Sequence, residues 1–150
     1  MKPVLFLRTA SVLTFIHALM HTIGGVFGKV GTGPAAVAVE AMKINQFLVM
    51  GNMRSFWDFY RGLGLGITIA LTADAIAFWQ LGSLAKANPG RMRPIAGTFL
   101  AAYLALAVNS NAYFFFGPVV AEILIAACLG MAILTATASA RAVSSAIPQP

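Results

Sequence analysis

Four long blocks of apolar residues constrain this chain more than any other feature. Each is about 20 residues or longer, the length a helix needs to cross a ~30 Å hydrocarbon core at ~1.5 Å per residue. They fall at about residues 4–27, 56–81, 94–116 and 118–140. Charged residues make up only 9% of the 150 and hydrophobic ones 59%, too little charge to clothe a water-soluble domain. The expectation is all-α: one integral membrane domain over 1–150, built as a four-helix transmembrane bundle. A short interfacial helix is expected in the first loop, where "AAVAVEAMKINQFLVM" is apolar with Glu40 and Lys43 three apart on one face. The same segment would also serve as a lid.

Local signals set the predicted ends. Ser55 with Asp58 in "SFWD" is a capping box opening the second helix. "NPGRMRP" reads as a Pro-Gly turn with Pro94 in the first turn of the third helix, and "FFFGPVV" as a tight turn with Pro118 starting the fourth. The N-terminus resembles a signal peptide, with Lys2, Arg8 and "AVA" at 36–38, but its apolar stretch is too long and reads as a first span. The tail "SSAIPQP" reads as extended.

The net charge of +6 comes from scattered Lys and Arg at block ends, not from a basic face or run, so nucleic acid is not an expected partner. Four spans put both termini and the 82–93 loop on one side with Lys2, Arg8, Lys86, Arg91, Arg93 and Arg141. Lys29, Lys43, Arg54 and Arg61 lie on the other. Six positives against four place both termini in the cytoplasm, with Trp57, Tyr60 and Tyr113 at the outer interface and Trp79 near the inner one. The single Cys128 allows no intrachain disulfide.

Polar residues inside the blocks are the candidate site. "FIHALMHTIGGVFG" places His17, His21, Gly24 or Gly25, and Gly28 on one helix face. Small residues mark a face turned toward other helices, so the histidines are expected in the bundle interior. Measured from the outer helix ends, Glu122 and Arg61 lie about 7 Å deep, Asn111 about 9 Å and His21 about 10 Å; Asn109 lies one turn or less deeper and His17 near the midplane. A base, an acid, a guanidinium and amides from four helices thus share one outer layer. Burying each alone would cost several kcal/mol.

Three chemistries suit this layer. His17, His21 and Glu122 are candidate catalytic residues for acid–base chemistry on a lipophilic substrate, with Arg61, Asn109, Asn111 and Asp58 binding the ligand. The same His17, His21 and Glu122 are the candidate ligands of a Zn or Cu ion, without an H-E-x-x-H motif. Haem held by two histidines would require a second chain, because His17 and His21 lie on one helix face. Structural roles stand beside these: an Arg61–Glu122 ion pair, interhelical amide bonds, and Asp58 as a cap. Asp74 stands apart, near enough in sequence depth to meet Arg8, Thr14 or Thr98.

The four spans, the long first loop and the tight third hairpin, with "HALMHTIGG", "RGLGLG" and "NSNAYFFFGP", resemble the small bacterial membrane proteins of the DoxX and EXPERA families. That resemblance implies a bacterial inner-membrane location and, from EXPERA proteins, a sterol-like ligand in the bundle, with isomerisation in some members by an acid and a stabilised cation. Glu122 with His17 or His21 would stand in that role. The leading expectation is an intramembrane pocket for a lipid, quinone or isoprenoid. The other is a non-catalytic accessory subunit or homo-oligomer, whose glycine-rich faces pack against partner helices in a larger membrane complex.

Overall fold

Residues 2–145 are described by the computed structural model, with side chains through residue 137. Helix α1 runs Lys2–Met20 and continues as a π-helical turn over His21–Val26. There follow α2 (Pro34–Ile44), the strands β1 (Gln46–Val49) and β2 (Asn52–Ser55), α3 (Phe56–Ala87), α4 (Pro89–Tyr113) and α5 (Phe116–Ser145). Among the described residues, four helices are long and apolar enough to cross a membrane: Lys2–Val26, Phe56–Ala87, Pro89–Tyr113 and Phe116–Thr137. The protein is therefore an all-α integral membrane protein with one small hairpin. Its outward side chains are apolar where a soluble protein would be charged: Ile69 is 70% and Val108 72% exposed.

Two compact units divide the chain. The first comprises residues 1–17 and 72–150. It is a four-helix bundle around Leu7 and Ala10 of α1, Phe78 and Leu81 of α3, Met92 and Tyr103 of α4, and Ile125 and Leu129 of α5. Phe78 meets Phe99 edge-on at 5.0 Å and Tyr103 at 5.8 Å, the geometry ring quadrupoles favour. The buried face of α4 is Met92, Ala96, Tyr103, Ala107 and Ser110, a helical stripe. That of α5 is Glu122, Ile125, Ala126, Leu129, Ala132 and Ala136. Ser11 Oγ donates to Ala75 O at 2.6 Å, joining α1 to α3.

The second unit comprises residues 18–71. Here the capping box forms as expected: Ser55 N and Oγ donate to Asp58 Oδ2 at 2.8 and 3.0 Å, and Asp58 N donates to Ser55 Oγ at 3.2 Å. The interfacial helix is present as α2, with Pro34 in its first turn and Glu40–Lys43 paired at 3.9 Å. It ends at Ile44, and "QFLV" instead forms β1, antiparallel to β2 with Gln46 opposite Ser55. The turn is Met50–Gly51, with φ of 47° and 85°, the left-handed pair of a type I′ hairpin. Phe47 fixes the hairpin to α3 by contacts at 4.9 Å with Phe56 and 6.3 Å with Phe59.

Several predicted ends move. The third span begins at Pro89, because Asn88 is its cap: Asn88 Oδ1 accepts from Arg91 N at 3.2 Å. Pro94 lies inside the helix rather than starting it. α3 runs six residues past Leu81 to Ala87 through "GSLAKA", whose Leu, Ala and Lys are good helix formers. Phe114–Phe115 makes the last turn between spans, so α5 begins two residues before Pro118. Ser144 and Ser145 close α5; the remainder of the tail lies outside the described residues.

Candidate functional site

In the second unit, the π-helical turn is the local peculiarity from which a site grows. Its signature is Phe27 N donating to Thr22 O at 3.0 Å, five residues back. Such turns expose backbone groups that ordinary helices satisfy internally, and they recur at functional sites. Gly24 and Gly25 offer little steric resistance to the wider turn. The Gly25 carbonyl, near the end of the helix, accepts a 3.1 Å hydrogen bond from Tyr60 OH. His21 Nε2 donates to Gly64 O at 3.0 Å. The carbonyl can only accept, so Nε2 carries the proton. Thr22 and Thr68 place their hydroxyls 2.9 Å apart, with Ala18 O at 2.7 Å from the first and Gly64 O at 3.2 Å from the second. Gly64 permits this approach: a Cβ there would stand 2.9 Å from Val26 Cγ2.

Beside this network lies an open groove of about 270 Å³. Its floor is Gly24, Gly25 and Gly28, on the glycine side of the same turn. Trp57 and Tyr60, stacked at 5.3 Å, form one wall; Val30, Val39 and Met42 form another. Lys29 is its charged lining residue, and Lys43 Nζ stands 5.2 Å from the centre of the Trp57 ring. A groove floored by glycine and walled by Trp and Tyr at the ends of two apolar spans suits an amphiphile at a membrane interface.

In the first unit each of the two acids takes a hydroxyl. Ser110 Oγ donates to Glu122 Oε1 at 2.9 Å; Glu122 is 5% exposed, and its Oε2 is buried with no hydrogen-bond partner among the described residues. Tyr103 OH donates to Asp74 Oδ2 at 3.1 Å. Asp74 thus takes Tyr103 rather than Arg8, Thr14 or Thr98. Arg8 instead lays its guanidinium 3.3 Å from the centre of the Trp79 ring and donates from Nη2 to Ser83 Oγ at 3.1 Å. Thr14 and Thr98 each bond the carbonyl four residues back in their own helix.

The candidate residues of the outer layer divide between the units. His17, Asn109, Asn111 and Glu122 belong to the first, and His21, Asp58 and Arg61 to the second. His17 is half-buried, whereas Asn109 and Asn111 are both exposed. Arg61 sits 5.0 Å from the centre of the Phe27 ring, and Glu122 takes the hydroxyl of Ser110. Among the described residues the salt bridge is Lys43–Glu40, and no three His, Cys, Asp or Glu side chains are placed to hold a metal ion. The residues that reasoning from the sequence missed are Ser110, Tyr103, Gly64, Thr68 and Lys29. Ser110 was findable: it falls on the stripe of Tyr103 and Ala107, while its asparagine neighbours fall off it.

No protein family, curated protein or solved structure matches the chain. What the fold itself defines is an integral membrane protein with four candidate spans, and its environment is the lipid bilayer.

Proposed function

We propose that this protein binds a lipophilic small molecule in the glycine-floored groove of residues 18–71. The observation that carries the reading is the lining itself. Gly24, Gly25 and Gly28 line the groove beside a span end together with Trp57 and Tyr60, and a Cβ at Gly24 would meet open space. Tyr60 also holds the backbone of that floor through Gly25 O. The resemblance to DoxX and EXPERA proteins, which implies a sterol-like ligand, accords with a lipophilic occupant such as a lipid, quinone or isoprenoid. Six positive residues on the terminal side against four on the other support a bacterial inner-membrane orientation with both termini cytoplasmic.

Gly24→Leu tests the reading. A Cβ at Gly24 meets nothing within 4 Å, so the larger side chain starts into open space and is expected to occupy the groove. Native mass spectrometry of protein released gently from its own membrane should show a lipophilic mass on the wild type that the variant lacks. The same mass on both, or none on either, would overturn the proposal.

A second reading has its own support. Gly62 and Gly66 of α3 are one turn apart, both exposed, and a Cβ at either meets nothing within 4 Å. Such a pair suits close packing against a partner helix, as in a homo-oligomer or a larger complex. Gly62→Leu with Gly66→Leu should then abolish a cross-linked oligomer or partner band and leave the groove's ligand in place.

A further inference from the structure

We infer that the groove takes an anionic lipid, with its negatively charged head against Lys29 and its chain leaving along Trp57 and Met42; this rests on the ligand-binding reading above. The argument is one of charge. Residues 18–71 carry four cations, Lys29, Lys43, Arg54 and Arg61, against two acids, Glu40 and Asp58. Both acids are engaged. Asp58 accepts from Ser55 N and Oγ, and Glu40 pairs with Lys43. Lys29 lines the groove, is exposed, and has no carboxylate within salt-bridge distance among the described residues. Lys43 brings a second ammonium to 5.2 Å from the centre of the Trp57 ring.

A zwitterionic head would bring its own cation into this field of net positive charge, which an anionic head does not. The rest of the lining is glycine, Val30, Val39, Met42, Trp57 and Tyr60, a mixture of aliphatic, aromatic and backbone surface that suits an amphiphile better than a free, fully hydrated anion. The volume of about 270 Å³ lies just below the range for a whole drug-sized ligand. It is space for a head group and the first methylenes, the remainder of the chain lying in the bilayer.

The test uses the full chain in nanodiscs of equimolar phosphatidylcholine and phosphatidylglycerol, with retained lipid read by native mass spectrometry. The wild type should retain phosphatidylglycerol over phosphatidylcholine by about fivefold, the attraction of one lysine near an anionic head. Lys29→Ala should abolish that preference and Lys29→Arg keep it, while Gly24→Leu loses both lipids. Equal retention of the two lipids by the wild type, with both lost in Gly24→Leu, would overturn the anionic preference and leave the groove standing. Retention unchanged in Gly24→Leu would remove the groove reading and this inference together.

Discussion

His21 donates from Nε2 to the carbonyl oxygen of Gly64, 3.0 Å away, and that bond turns a histidine in an apolar segment into a clamp between the π-helical turn and α3. Gly64 O keeps a second neighbour in Thr68 Oγ1, so loss of the imidazole leaves it partly satisfied. His21→Ala should therefore destabilise the protein by about 1–2 kcal/mol, one hydrogen bond plus a small loss of packing. His21→Gln, which can still present an N–H, should recover part of it. Unfolding measured in mixed micelles reads the difference, and no change for His21→Ala would rule out the clamp. Lipid retention should persist in both variants, because His21 does not line the groove.

The capping box predicts a local effect. Asp58 Oδ2 receives two hydrogen bonds from Ser55, and Ser55 is also the last residue of β2, so one contact both opens α3 and closes the hairpin. Asp58→Ala should cost about 1 kcal/mol. It should also raise hydrogen exchange about fivefold at the first amides of α3, the equivalent of that energy. Unaltered exchange there would mean that the aromatic contacts of Phe47 alone hold the hairpin to the helix.

Much of this architecture was legible because the bilayer leaves a chain few choices. Long apolar blocks must become helices, and the capping box "SFWD" and the α2 segment declared themselves through local chemistry. The hairpin did not, because its turn is Met50–Gly51 and methionine is not a turn signal. Asn88 was hidden beside the more conspicuous Pro89–Gly90. The outer polar layer was inferred from depth, which places a residue along a helix and says nothing about which way it faces. Facing separates Ser110, buried on Glu122, from the exposed Asn109 and Asn111. The groove was legible only as a glycine face, since its aromatic wall depends on how α3 begins.

Ser110 and Glu122 make a pair whose energetics should be non-additive. Ser110→Ala strips the carboxyl of its hydrogen-bond partner in the bundle and should cost about 1–3 kcal/mol. In a double-mutant cycle, Ser110→Ala with Glu122→Leu should be much less harmful than the sum of the single changes. Replacing both partners by apolar groups leaves nothing buried and unsatisfied, and coupling of about 0.5–3 kcal/mol is expected for residues in contact. Additive losses would mean that the 2.9 Å bond contributes nothing the two residues do not contribute separately.

Gly24 and Gly28 lie one turn apart on the groove floor, yet they should respond oppositely to the same methyl group. At Gly24 a Cβ enters open space, and alanine reduces the freedom of the unfolded chain, so Gly24→Ala should be neutral or stabilise by about 0.5–1 kcal/mol. At Gly28 a Cβ would collide with the carbonyl oxygen of Gly24. The obstacle is backbone, which cannot rotate aside as a side chain would. Gly28→Ala must then shift the chain leaving the π-helical turn, at a cost of more than about 2 kcal/mol. That shift moves Lys29 and Val30, both in the groove lining, so lipid retention should fall together with stability. Thermal unfolding and lipid retention measured on both variants separate the two positions. Equal tolerance at 24 and 28 would mean that the turn relaxes without disturbing the groove.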